Sequence, residues 1–187
     1  MIRLDKEILL YHGSYVEIPD IDLAECRRGK DFGQGFYVTS SLDQAESFVK
    51  LAINREIKSK SLSADTSFGY VNIYKFSPGQ HLNMRFFEYA DEAWLHFVAA
   101  NRRHELFPEL IAEMQQYDII AGKIANDRTA QTLQIYVAGG YGQPGTEQAD
   151  QMAIKMLLPN RLQNQFCFKT ARAISTLKFL GSTRYEI

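Results

Sequence analysis

Thiols are scarce in this chain: Cys26 and Cys167 are the only two, and they lie too far apart for a CxxC spacing. A disulfide framework and a thiolate zinc site are therefore both excluded, and the two cysteines read as inert thiols. Long apolar runs are also missing. None approaches the about 18 residues that a membrane helix needs, and Met1-Ile2-Arg3-Leu4-Asp5-Lys6-Glu7 lacks the apolar core of a signal peptide, so the expectation is a cytoplasmic protein with no membrane partner. Nor is there an excess of charge of one sign. With 21 basic and 22 acidic residues the formal net charge is −1, which excludes capture of nucleic acid or an anionic membrane by bulk electrostatics.

Several chemical signatures are absent as well. Gly33-Gln34-Gly35 begins like a dinucleotide-binding loop, but GxGxxG would need glycine where Val38 stands, and the loop enters a strand rather than a helix. No GxxxxGK[ST] phosphate loop and no GxSxG nucleophile elbow occurs. In His104-Glu105 the second histidine of HExxH is replaced by Pro108. His81, His96 and His104 have no metal ligand four residues on, so they read as ordinary surface or core histidines and no metal is expected. Cys167 sits in an apolar strand, where burial raises a thiol's pKa and makes it a poor nucleophile.

What is present is bulk for a core. The 187 residues are 45% hydrophobic, with 12 Phe and 10 Tyr, and the length suits one domain over residues 1–187. Glu7 to Tyr11 reads as a strand closed by His12-Gly13-Ser14, and Gly35 to Thr39 as a second. The polar stretch between them, with Pro19 and Arg27-Arg28-Gly29-Lys30, reads as loop with at most one helical turn, the basic run being either a solvated loop or an anion contact. Ser41 with Gln44 fits a capping box ahead of Leu42, Ala45, Val49, Ala52 and Ile53 at helical spacing.

Further along, Tyr70 to Phe76 is a strand stopped by Pro78-Gly79, and Asp91 caps a helix from Glu92 to about Arg103. Pro108 separates that helix from another over Glu109 to Gln116, and Tyr117 to Gly122 has strand character. Ala130, Leu133, Tyr136 and Val137 line a helix ending at Gly139-Gly140. Thr146 caps a helix through Leu157 stopped by Pro159. Asn164 to Lys169 is a strand, Thr170 caps a short helix over Ala171 to Ser175, and Leu177 to Leu180 is a terminal strand. Strands at both ends with helices in the middle favour an α+β fold over βαβ alternation.

Three segments acquire meaning together: Tyr11-His12-Gly13-Ser14, Asp31-Phe32-Gly33-Gln34-Gly35-Phe36-Tyr37-Val38-Thr39, and Asn164-Gln165-Phe166-Cys167-Phe168. In this order they resemble the ADP-ribosyltransferase superfamily, in its diphtheria-toxin and poly-ADP-ribose-polymerase branch marked by histidine, tyrosine and glutamate. Within that branch the chain looks like the bacterial family catalogued as domain of unknown function 3990. The resemblance implies an ADP-ribosyltransferase-like split β-sheet core with an NAD cleft and surrounding helices.

It also implies residue roles. His12 matches the histidine that holds the adenosine ribose, and Gly13 the glycine whose backbone pairs with the nicotinamide amide, with Ser14 and Gly35 beside them in the cofactor-binding set. Tyr37 matches the motif tyrosine and Phe48 a second aromatic against the nicotinamide, although Phe48 also suits core packing. The catalytic glutamate corresponds to Gln165, and Gln163 to a substrate-orienting residue. A neutral amide keeps a hydroxyl contact but lacks the charge that stabilises an oxocarbenium-like transition state, a loss of about 2.7–4 kcal/mol.

In the family's internal motif, Tyr117 to Arg128, Asp127 either supplies that missing carboxylate or caps the following helix. The implied activity is NAD-dependent: cleavage of the nicotinamide–ribose bond by a mono-ADP-ribosyltransferase or NAD glycohydrolase, with a protein or nucleic-acid acceptor. The implied setting is a toxin with an antitoxin or immunity partner. Gln165 favours the alternative of a weak or inactive module that binds NAD or ADP-ribose, and a helical interaction protein is the third reading.

Overall fold

The computed structural model describes residues 3–79, 81–124, 127–157 and 164–187, and for residues 127 and 128 the backbone alone. Its strands are β1 Ile8–Ser14, β2 Phe36–Val38, β3 Phe68–Phe76, β4 Met84–Phe86, β5 Ile119–Lys123, β6 Asn164–Phe168 and β7 Leu177–Glu186. The helices are α1 Leu42–Lys58, α2 Glu92–Arg102, α3 Pro108–Met114, α4 Asp127–Val137, α5 Glu147–Leu157 and α6 Ala171–Ile174. The fold is α+β, with a three-stranded sheet ordered β1-β3-β7 and a four-stranded one ordered β2-β6-β5-β4. The chain forms two compact units. One comprises Leu23–Phe36 and His81–Thr170, the other Ile2–Asp22, Tyr37–Gln80 and Ala171–Ile187.

In the unit containing β1, strands β1 and β7 each pair antiparallel with β3. The apolar face of α1 covers them: Ala45, Val49 and Ile53 are fully buried and pack with Val71 of β3, flanked by Tyr11, Tyr15, Ile57 and Tyr185. Ser41 Oγ accepts from Gln44 N, as the capping signature predicts. The reciprocal half of the box is altered, because the Gln44 side chain accepts from Thr39 Oγ1 at 2.8 Å while Ser41 N donates to Thr39 Oγ1 instead. Buried Asn72 accepts from Ile18 N at 2.8 Å and donates to Val16 O at 3.1 Å, fastening the segment after β1 to the central strand.

Two strands of this unit depart from the sequence expectation. His12, Gly13 and Ser14 do not close β1 but continue it, paired with Asn72, Val71 and Tyr70. Strand β7 runs on past Leu180 to Glu186, because the polar run Gly181-Ser182-Thr183-Arg184 keeps its pairing with β3 across a bulge at Ile73/Tyr74. Gly181, at φ 143°, takes the backbone conformation that the bulge requires.

The other unit is built on β5, whose residues Ile119 to Gly122 are buried between antiparallel β6 and parallel β4. Strand β4 has no sequence signal: its three residues are all half-buried and have neither alternation nor a turn signature. Phe32, Phe87 and Phe97 stack with centroids 5.6–6.2 Å apart, and buried Trp94 donates its indole N–H to Lys123 O at 3.1 Å. Asp91 Oδ1 caps α2 by accepting from Trp94 N at 3.1 Å. Pro108 is the first residue of α3 rather than a spacer before it, a position where its missing N–H costs nothing.

The Thr146 hydroxyl donates to Gln143 O, and that of Thr170 to Asp118 Oδ1. Pro159, expected to stop α5, lies outside the described residues. Buried Cys167 and half-buried Cys26 form no disulfide.

Asp118 is buried and accepts from Asn83 N at 2.9 Å and from the Thr170 hydroxyl at 2.7 Å, so one carboxylate ties the residues before β4 and after β6 to the start of β5. Asp118→Ala is expected to cost about 3 kcal/mol, since hydrogen bonds to a charged group are lost and their donors left unsatisfied; the urea midpoint reads this directly. Burial also pushes the Tyr74 phenol above the usual tyrosine range, with its hydroxyl donating to Ile18 O at 2.6 Å. The fold holds this phenol neutral while the unfolded chain ionises near about pH 10. The associated stability is intact below that pH and is lost as pH rises through the raised value. Tyr74→Phe is therefore expected to flatten the alkaline fall in urea midpoint.

Candidate functional site

Five of the expected site residues belong to the unit containing β1: His12, Gly13, Ser14, Tyr37 and Phe48. Strand β1 carries the first three in succession, and Tyr11 exchanges backbone hydrogen bonds with Thr39 at 2.8 and 2.9 Å. This pairing sets His12 beside Tyr37, whose carbonyl oxygen lies 2.6 Å from His12 Nδ1. A carbonyl only accepts, so Nδ1 carries the proton, and in the neutral ring Nε2 has acceptor character. The imidazole is half-buried, and the backbone carbonyl of Tyr37 sets its tautomer.

Gly13 occupies a place where nothing larger fits. A Cβ there would overlap the Ala45 carbonyl oxygen, stand 2.8 Å from Val49 N and lie 3.0 Å from Phe48 Cβ. Helix α1 thus rests backbone to backbone on β1 and brings half-buried Phe48 to the strand at Gly13. The neighbouring Ser14 is buried and its hydroxyl accepts from Val16 N at 3.3 Å, a local turn contact. The Tyr37 ring points away from the sheet face on which Phe36 and Val38 are buried, as strand alternation dictates, and is half-buried.

Gly35 and Gln165 belong to the other unit. Gly35 is a packing glycine, since a Cβ would lie 2.5 Å from Cys167 Sγ and 2.8 Å from Phe168 O. Gln165 is 8% exposed on β6, opposite Gly122 of β5, and its Nε2 donates to Asp31 Oδ2 at 3.5 Å. Asp31 in turn accepts from Arg102 Nη2 at 2.7 Å and Nε at 3.3 Å, both on Oδ1.

The described carboxylate next to Gln165 is therefore Asp31, held by a guanidinium that balances its charge. Sequence reasoning quoted Asp31 inside the second motif without giving it a role. The signal was a lone acid beside Phe32-Gly33, and its link to Gln165 and Arg102 exists only in three dimensions. The Asp127 backbone begins α4, while its side chain and all of Gln163 lie outside the described residues. Arg27, Arg28 and Lys30 are exposed in the loop ahead of Asp31.

Two sheets and six helices, among the described residues, define an α+β protein in which a strand-borne histidine is oriented by backbone and a buried glutamine contacts an arginine-paired aspartate. Residues 8–179 match the model of a family described as "Protein of unknown function (DUF3990)", and the chain belongs to that family. No curated protein matches the chain.

The contact between Gly13 and α1 gives a direct expectation. Gly13→Ala forces helix and strand apart and should destabilise the protein by about 1–3 kcal/mol, the usual cost of overpacking, seen as a lower denaturation midpoint. An unchanged midpoint would mean that α1 tolerates displacement and that Gly13 is not required for packing.

Proposed function

We propose that this DUF3990 chain is an NAD-dependent ADP-ribosyltransferase-like protein, in which the bond between nicotinamide and ribose C1′ breaks, nicotinamide leaves with the electron pair, and an acceptor nucleophile attacks C1′ and gives up its proton. The acceptor is a macromolecule. The observation that supports this reading most is the 2.6 Å hydrogen bond joining His12 to Tyr37, two motif residues distant in sequence for which the resemblance implies related roles. In the proposal His12 Nε2 accepts from a ribose hydroxyl, the Gly13 backbone meets the carboxamide, and Tyr37 and Phe48 pack the nicotinamide ring. Gln165 contacts the ribose hydroxyls, and Asp127 is a second candidate source of negative charge.

A binding-only reading has a specific observation in its favour. Gln165 is neutral, and the carboxylate it contacts is already paired with Arg102, so little net negative charge is available to a developing cation. The two readings part on nicotinamide release from NAD by the purified protein over hours: release above the protein-free rate supports the enzyme, and NAD binding without release supports the module.

His12→Ala is expected to weaken NAD binding about fivefold, one hydrogen bond of about 1 kcal/mol, with a stability loss of no more than about the same size. Loss of stability with unchanged NAD affinity would make His12 structural. Gln165→Glu should raise nicotinamide release by about tenfold or more, the direction expected when an anion is placed beside a developing cation. If Gln165→Glu has no effect and Asp127→Asn abolishes release, the charge comes from Asp127. If neither alters the rate, both leave the mechanism.

A further inference from the structure

Histidine 96 was expected to stand alone because no ligand follows it by four residues, yet Glu92 precedes it by four on α2, which puts the two side chains on one face of the helix. Helix α5 brings in the third group. Asp150 is 3% exposed, and its Oδ2 lies 2.7 Å from His96 Nε2. The ligand atoms of Glu92, His96 and Asp150 all lie within 4.8 Å of one another.

Each of the two inner groups is held in place. Asp150 Oδ1 accepts from the Tyr136 hydroxyl and from Gly145 N at 3.2 Å, and the His96 ring stacks on Phe107 at 4.2 Å with an interplanar angle of 17°. Such hydrogen bonding to the second oxygen of a carboxylate is the support that metal-binding carboxylates ordinarily have.

We propose that Glu92, His96 and Asp150 form a binding site for a divalent transition-metal ion, with zinc the best match. The donor set is one imidazole and two carboxylates, which suits zinc and its neighbours better than magnesium or calcium, whose preferred ligands are all oxygen. Metal–ligand bonds of about 2.0–2.2 Å place donors of one coordination sphere roughly 3–4.4 Å apart. The observed spacing needs only a small inward movement of the exposed Glu92 and a small opening of the His96–Asp150 contact. Coordination through Nε2 requires the imidazole proton on Nδ1, so the metal replaces the hydrogen bond to Asp150. Three protein ligands leave a fourth position for water.

The test is a calorimetric titration of the full chain with zinc chloride, paired with cobalt absorption spectra and thermal midpoints. Binding of one zinc per chain is expected, with a midpoint rise of about 5–11 °C at a hundredfold excess over Kd. Glu92→Gln, a near-isosteric change at an exposed position, should weaken binding by about tenfold or more. His96→Gln should weaken it further, whereas His81→Gln and His104→Gln should leave it unchanged. The proposal is overturned if millimolar zinc gives no binding, or if binding survives both Glu92→Gln and His96→Gln, which would mark an adventitious surface contact.

Discussion

Helix α1 and strand β1 meet backbone to backbone at Gly13, and the unit around them is arranged by that approach. The absence of a side chain at this one position lets Ala45, Val49 and Ile53 reach Val71 on the central strand, which closes the core. The same approach fixes the height of β1, so that Tyr11 pairs with Thr39 and the His12 ring meets the Tyr37 carbonyl. Packing and the orientation of the candidate site thus share one cause, and glycine at position 13 has a structural reason independent of any ligand.

In the second unit buried and half-buried carboxylates act alongside close approach, which recurs where Gly35 meets Cys167 and Phe168. Asp118 collects donors from the residues before β4 and after β6, while Asp31 is held by Arg102 and contacts Gln165. Buried or half-buried carboxylates need partners to remain in a protein interior, and here each partner comes from a distant part of the chain. The environment of Gln165 is consequently more polar than a neutral amide in an apolar strand would indicate. Its pairing also limits the negative charge that Asp31 can direct to a ligand.

Much of the local structure was legible. The Ser41 cap with buried positions Ala45, Val49 and Ile53, the Asp91 cap, and the apolar run of β5 all appear where their patterns put them. Elements that depend on a partner were not. Strand β4 exists because β5 pairs with it, and β7 extends into a polar segment because β3 continues alongside. His12 to Ser14 looked like a strand end, since glycine and serine are common in turns, and their pairing with β3 overrides that local preference. In the candidate site, His12, Tyr37, Phe48 and Gln165 were nameable from motifs, whereas Asp31 as the neighbour of Gln165 and Glu92 as the neighbour of His96 and Asp150 were not.

By itself the sequence determined the α+β class, the main helices with their caps, and the residue types available for chemistry. These follow from periodicity and capping, which act over a few residues along the chain. The tertiary structure alone decided which strands pair, that His12 donates to a backbone carbonyl, and that Asp31 lies against Gln165 and Asp150 against His96. Those contacts join residues far apart in sequence, and their existence rests on burial and hydrogen-bond satisfaction across the folded chain, which no local pattern encodes.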